Sequence, residues 1–227
     1  MELERLRVEL DGVAGRFGLA LFEQVAIKTS PPGLLDAIST LTGDYLARGV
    51  QMPEEYVKGV RGLLRQGGFK PSGRNRPASE YLLRDLADVR EFNYINNLVD
   101  INNLLSLKHF LPMSVLDAGR FEGDPHLRLG RGKERYVFNP SGQELDLTGL
   151  IVAADYYGGD SRALGSPIKD SMDGKLTPDT QSALAVIYSH PQLTTERQME
   201  DILQEWCDLV RKYASGAGFH VRVVTTE

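Results

Sequence analysis

The sequence predicts an α+β fold: a single domain, residues 1–227, with mixed and antiparallel sheets surrounded by helices. Segments with a helical apolar period gather in the first half of the chain, and short apolar runs set off by Gly, Pro, Asp or Ser gather in the second. That segregation is the α+β pattern and not strict βαβ alternation. The composition agrees: 227 residues, 41% hydrophobic and 25% charged, are enough for one substantial globular domain or two small ones.

The elements follow in order. "LRVELDG" alternates apolar and polar residues and reads as a strand, and "ALFEQVAI" is a candidate partner for it. Pro31 and Pro32 open a helix that places Leu34, Leu35, Ile38, Leu41 and Tyr45 on one face. Pro53 opens another, with Val57, Val60 and Leu64 as its stripe and Gly67-Gly68 as its stop. The loop "GGFKPSGRNRP" has no apolar rhythm. It leads into a helix from about Pro77 that carries Tyr81, Leu82, Leu86 and Val89. A further helix spans about residues 96–110 and ends before Pro112. "HLRLG", "RYVFN", "LTGLIVAAD", "SRAL" and "SALAVIY" read as strands, and the turn "GRGKE" suggests a hairpin between the first two. An amphipathic helix over about residues 194–213 buries Met199, Ile202, Leu203, Trp206 and Val210, and "GFHVRVVTT" closes the chain as a strand.

Composition excludes several function classes. No segment approaches the roughly 18 consecutive apolar residues of a membrane span, so no membrane partner is expected. The charged start "MELERLRVELDG" is no secretory signal, and the lone Cys207 permits no intrachain disulfide; both favour the cytoplasm. One cysteine and four scattered histidines argue against a structural zinc site, and no metal or cofactor is expected. G-x-S-x-G, H-E-x-x-H, the P-loop and the dinucleotide fingerprint are all absent. "GGDSRALGSP" reads as a turn between strands, Cys207 as a core residue, and no histidine stands in a relay pattern.

The net charge of -5 disfavours a whole-surface attraction to nucleic acid. A local one remains open. Between Tyr56 and Ser79 there are six basic residues and no acid: Lys58, Arg61, Arg65, Lys70, Arg74 and Arg76. Either a solvated face or a phosphate-contacting segment explains that run. "FNYINNLVDINN", residues 92–103, poses a second choice. Five asparagines and one aspartate sit at the start of a helix, although asparagine competes for backbone hydrogen bonds and is a poor helix former. They are caps and a buried network, or they hold a ligand.

"NRPASEYLLRD", "YINNLVDINNLLSLKHFLPMSVLD", "LTGLIVAADY" and "LTPDTQSALAVI" occur in an order that resembles the editing module of the phenylalanyl-tRNA synthetase beta subunit. The likeness is greater to free-standing relatives of that module, and it covers roughly residues 74–213. It implies a pocket for an amino acid esterified to tRNA. The family's Val-Asp-Val-Thr-Asn places its pocket threonine and asparagine on Asn102 and Asn103. Its Pro-Met-His-Ala-Phe-Asp places a pocket histidine on Ser114 and a small alanine on Val115. A pocket arginine falls on Asn93, the acid that reads a tyrosine hydroxyl falls on Val186, and the glycine-bearing loop falls around residues 162–166, with Gly165 and Ser166 in the pocket. The implied ligand is the charged acceptor end of a tRNA, met by Arg74, Arg76 and Lys70; DNA is not expected. The implied activity is hydrolysis of a mischarged ester in trans, with no residue assigned as catalytic. The alternative is a binding module that keeps the fold without hydrolysis, because the family's histidine and acid are replaced.

Overall fold

In the computed structural model, described over residues 8–156 and 160–226, the first two strands are Glu9–Asp11 (β1) and Gly15–Glu23 (β2). Nearly every residue of β2 is buried or half-buried, and a strand without a solvated face needs cover on both sides. It lies between two antiparallel neighbours, Ser182–Ser189 (β9) and Gly218–Thr226 (β10). Met113–Asp117 (β3) completes this sheet on the far edge of β9, giving the order β10-β2-β9-β3.

β1 is therefore not the partner of β2. It runs parallel to His126–Leu129 (β4) in a second, mixed sheet ordered β1-β4-β7-β8, where β7 is Ile151–Ala154 and β8 is Ala163–Gly165. The expected hairpin of "HLRLG" with "RYVFN" is also corrected. Arg135–Val137 (β5) pairs instead with Glu144–Asp146 (β6). The cause is a buried charge. Arg128 on β4 is 3% exposed and needs a carboxylate, and Glu134 reaches it with both oxygens at 2.6 and 2.7 Å. The "GRGKE" turn is thereby clasped to β4 and sends the chain sideways. β3 and β6 are strands that the sequence pattern does not signal; β3 is buried at all five residues and shows no alternation to read.

The helices Pro32–Arg48 (α1), Glu54–Leu64 (α2), Ala78–Val89 (α3), Asn97–His109 (α4) and Glu196–Tyr213 (α5) lie where the apolar periods place them. α1 ends at Gly49, whose φ of 62° is left-handed. A capping box of Thr195 and Gln198 starts α5. α5 packs on the β10-β2-β9-β3 sheet through Trp206 against Phe22, ring centroids 5.8 Å apart. Gly18 permits this approach: a Cβ there would stand 2.6 Å from Met199 Sδ. One apolar cluster runs from α4 and α5 through both sheets. No helix among the described residues is long and apolar enough to cross a membrane.

The asparagine-rich start of α4 joins these layers. Asn96 is the N-cap, accepting from Val99 N at 2.9 Å. Asn97 is buried and does more. Its Nδ2 donates to Ala26 O and Tyr213 O, both at 2.9 Å, and its Oδ1 accepts from Lys28 N and Leu98 N, both at 3.0 Å. Asp100 is fully buried and accepts from Ser30 Oγ at 2.5 Å and Ile95 N at 2.8 Å. Burial holds its carboxyl above the usual range, against the pull of these donors. Asn96→Ala is expected to cost about 1 kcal/mol. Asn97→Ala strands several buried backbone groups, each worth about 1–3 kcal/mol, and is expected to cost more. Urea denaturation of both variants checks the order; equal losses would reduce Asn97 to a second cap.

Candidate functional site

The basic run divides once the chain is folded. Lys58 is held by Glu54 at 2.6 Å, and Arg61 is gripped by both carboxylate oxygens of Glu80 at 2.8 and 2.5 Å. Arg74 and Arg76 form no ion pair with a described residue. Arg74 lies within a short 3-10 turn, Gly73–Asn75, and Arg76 follows it; both line an open groove of about 930 Å3. Tyr81, Arg84, Asp85 and Asp88 of α3 form one wall of it; Phe138, Gln143, Glu144, Leu145 and Lys169 also line it. Lys70 is exposed but does not line the groove. The first turn of α3 docks on the loop after β8, Ala78 N donating to Pro167 O at 2.8 Å.

Behind that loop lies a cluster of hydroxyls. Directly paired residues of neighbouring strands project to the same face of a sheet. Ser114 pairs with Val186, and Val186 with Leu19, so these three face away from α5 and towards β8. Ser114 Oγ donates towards Ser166 O at 3.1 Å and Asp170 Oδ1 at 2.8 Å. Gly165 closes in on the same oxygen: a Cβ there would stand 2.7 Å from Asp170 Oδ1 and from Leu116. Ser114, Gly165, Ser166 and Val186 are thus brought together, all buried. Val115 is not among them. It pairs with Ala185, across from Ala20, on the opposite face that α5 covers.

The carboxamides of α4 form a separate group. Asn102 is buried and donates from Nδ2 to Asn103 Oδ1 at 3.1 Å. Its own Oδ1 is buried and meets no donor. Such an acceptor costs about 1–3 kcal/mol unless something fills it. Asn103 is half-buried, and Asn93 is exposed in the turn before the helix. Among the described residues no hydrogen bond joins these three to the Ser114 cluster.

Sequence reasoning missed the acid. Asp170 turns its carboxyl inward to Ser114 Oγ and Ser166 N, and burial pushes its pKa up to about 7. Tyr136 reaches Ser166 Oγ at 2.8 Å and Lys169 O, and Tyr188 reaches Ser114 Oγ at 3.4 Å. Burial raises the pKa of both phenols, so they act as donors. Tyr188 lies in "SALAVIY", where alternation gives an inward face, but Asp170 sits in a loop with no periodic signal. A second polar centre places His126 Nε2 3.1 Å from Ser161 Oγ. Burial lowers the pKa of His126, and Arg128 Nε donates to the same hydroxyl at 2.8 Å. Among the described residues no group of three or more His, Cys, Asp or Glu side chains could hold a metal ion.

A family model described as the B3/4 domain matches residues 70–203. No curated protein matches the chain. Among solved structures the chain is similar to an N-terminal fragment of the phenylalanyl-tRNA synthetase beta-subunit from Pyrococcus horikoshii, with 10% identity and a TM-score of 0.44. That match covers 97% of this chain and 56% of the fragment, so the chain spans little more than half the fragment's length.

The buried acid makes stability depend on pH. As pH rises from about 4 to about 7, Asp170 ionises in the unfolded chain but keeps its proton when folded. Its contribution to stability therefore falls across that window and levels off above it. Glu205 works in the opposite sense, since His109, opposed by burial and helped by Lys108, holds it at about 2. The difference between wild type and Asp170→Asn isolates the effect. Urea midpoints from pH 4 to 8 should show wild type losing ground to the variant as pH rises; parallel curves would mean that Asp170 is ionised in the fold.

Proposed function

We propose, on the premise that the chain belongs to the B3/4 domain family, that it binds the acceptor end of a charged tRNA and presents the aminoacyl ester for hydrolysis in trans. One observation supports this most: in a protein of net charge -5, Arg74 and Arg76, without an ion pair among the described residues, line one open groove, and Lys169 joins them there. Phosphate contacts of this kind position a nucleic acid without reading its sequence. The reading places Arg74 and Arg76 on phosphates, with Lys70 beside them. Asn93, Asn102, Asn103, Ser114, Gly165, Ser166 and Val186 serve as the amino-acid side of the site, and Val115, on the face that α5 covers, drops out of it. The empty acceptor of Asn102 suits an ammonium or a ribose hydroxyl. An activated ester hydrolyses once a water is placed and its carbonyl oriented, and hydroxyls, carboxamides and backbone N–H groups suffice for that.

A second reading, binding without hydrolysis, is favoured by the packing around Ser114. Ser114, Ser166 and Val186 are buried, and the two serines already hydrogen-bond to the protein. No amino-acid side chain enters there unless the Ser114–Asp170 contact opens.

A panel of tRNAs charged with different amino acids decides between the two. Hydrolysis of at least one ester above the spontaneous rate is expected; saturable binding with no acceleration would establish the second reading. Arg74→Ala with Arg76→Ala should weaken tRNA binding and reduce the slope of log K against log salt by about 1.5. An unchanged slope removes the segment from the site. Asn103→Ala should leave thermal stability nearly intact, since its one described hydrogen bond is to Asn102. It should lower deacylation or tRNA affinity at least several-fold, and unchanged values would make this carboxamide purely structural.

A further inference from the structure

The groove beside Arg74 and Arg76 contains two aromatic rings with a cation between them. Tyr81 projects from α3 and is 50% exposed, and Phe138 follows β5 and is half-buried. Lys169 Nζ stands 4.1 Å from the Phe138 centroid and 5.6 Å from the Tyr81 centroid. Among the described residues this ammonium has no carboxylate partner. Burial and then the charge of Arg74 lower its pKa, so it sits in a place that disfavours a cation.

Ring attraction offsets part of that cost for an ammonium in such a slot. A planar base gains roughly tenfold to a hundredfold in affinity from stacking on an aromatic side chain. Stacked rings lie about 4.5–7 Å apart between centroids, so a ring near the position of Nζ is close to stacking distance of both walls. A phosphate beside it would replace the repulsion between Lys169 and Arg74 by attraction to both.

We propose that this groove is a nucleotide subsite: an unpaired terminal purine stacks between Tyr81 and Phe138 in the place of Lys169. The adjoining phosphate is gripped by Arg74, Arg76 and the displaced lysine. The inference rests on the reading that the chain binds an RNA end, and it names which part of that end enters the groove. Charge along α3 sets the polarity. Arg74 and Arg76 precede its first turn, while Asp85 lies four residues beyond Tyr81, about 6 Å further along the axis. Asp88 is partly neutralised by Arg84 at 3.2 Å, and Glu144 stands 3.6 Å from Arg135. A phosphate therefore belongs at the arginine end. Gln143 Oε1 already accepts from Asn139 at 2.8 Å, so its Nε2 is oriented by the hairpin and available to a base edge.

The probe is a short RNA bearing 2-aminopurine at its 3′ terminus, with AMP and ribose 5-phosphate as competitors. Stacking should quench the fluorophore on binding, and AMP should compete at least tenfold better than ribose 5-phosphate. Tyr81→Ala and Phe138→Ala should each weaken binding by about tenfold to a hundredfold and restore the fluorescence. Tyr81→Phe should retain both quenching and affinity; the exposure of Tyr81 makes a folding failure an unsuitable explanation of its variants. RNA that binds with full salt dependence, but without quenching and without loss in Tyr81→Ala, overturns the subsite while leaving the RNA reading intact. AMP that stacks with the expected sensitivity to Tyr81 and Phe138, in a protein that binds no tRNA, supports the subsite and removes the RNA reading.

Discussion

The fold depends on how the first turn of α4 is satisfied. That turn is buried where the chain between β2 and α1, the end of α5 and α4 itself meet. Buried backbone groups there must find partners. Asn97 supplies four of them with one carboxamide, to Ala26, Lys28, Leu98 and Tyr213. Its own N–H donates to Lys28 O at 2.8 Å, which completes a short backbone bridge. An amide donates and accepts together without charge, and neither aspartate nor leucine of the same size can do both. Asp100 then holds Ser30 and Ile95 on the other side of the turn. The low helix propensity of these residues is outweighed by their partners.

That junction also positions the site. α4 leads into β3 through the left-handed cap Phe110, then Leu111 and Pro112, with Ser106 Oγ donating to Leu111 O at 2.7 Å. β3 carries Ser114 to the face opposite α5, beneath β8 and its loop. The loop supports the start of α3, and α3 forms a wall of the groove. The start of α4 and the groove are thus joined by a chain of hydrogen-bonded and paired elements.

Ion pairing separates Lys58 and Arg61 from the other cations of the run. Six cations crowd one stretch of sequence, and the sequence treats them alike. Folding brings Glu80 of α3 to Arg61 and uses it structurally. Among the described residues Arg74 and Arg76 receive no such partner, and they line the groove. Unpaired cations near one another raise the energy of the empty groove, and a bound anion lowers it.

The sequence by itself determined the class of the fold, the existence of the five helices, and the motif order that resembles the family; in α3 the expected Tyr81 and Val89 are exposed, and Leu83 is buried together with Leu86 instead. Fold class, helices and motif order rest on local periodicity and short-range spacing, which need no knowledge of distant partners. Only the tertiary structure decided that β1 joins β4, that β5 leaves β4 for β6, and that Val115 faces away from Ser114. Strand pairing is non-local, and buried pairs such as Arg128 with Glu134 select among pairings that look alike in sequence. The same holds for Asp170 and Lys169. Their loop has no periodicity, and their chemistry comes from Ser114, Tyr136, Tyr81 and Phe138, which converge on them from remote parts of the chain.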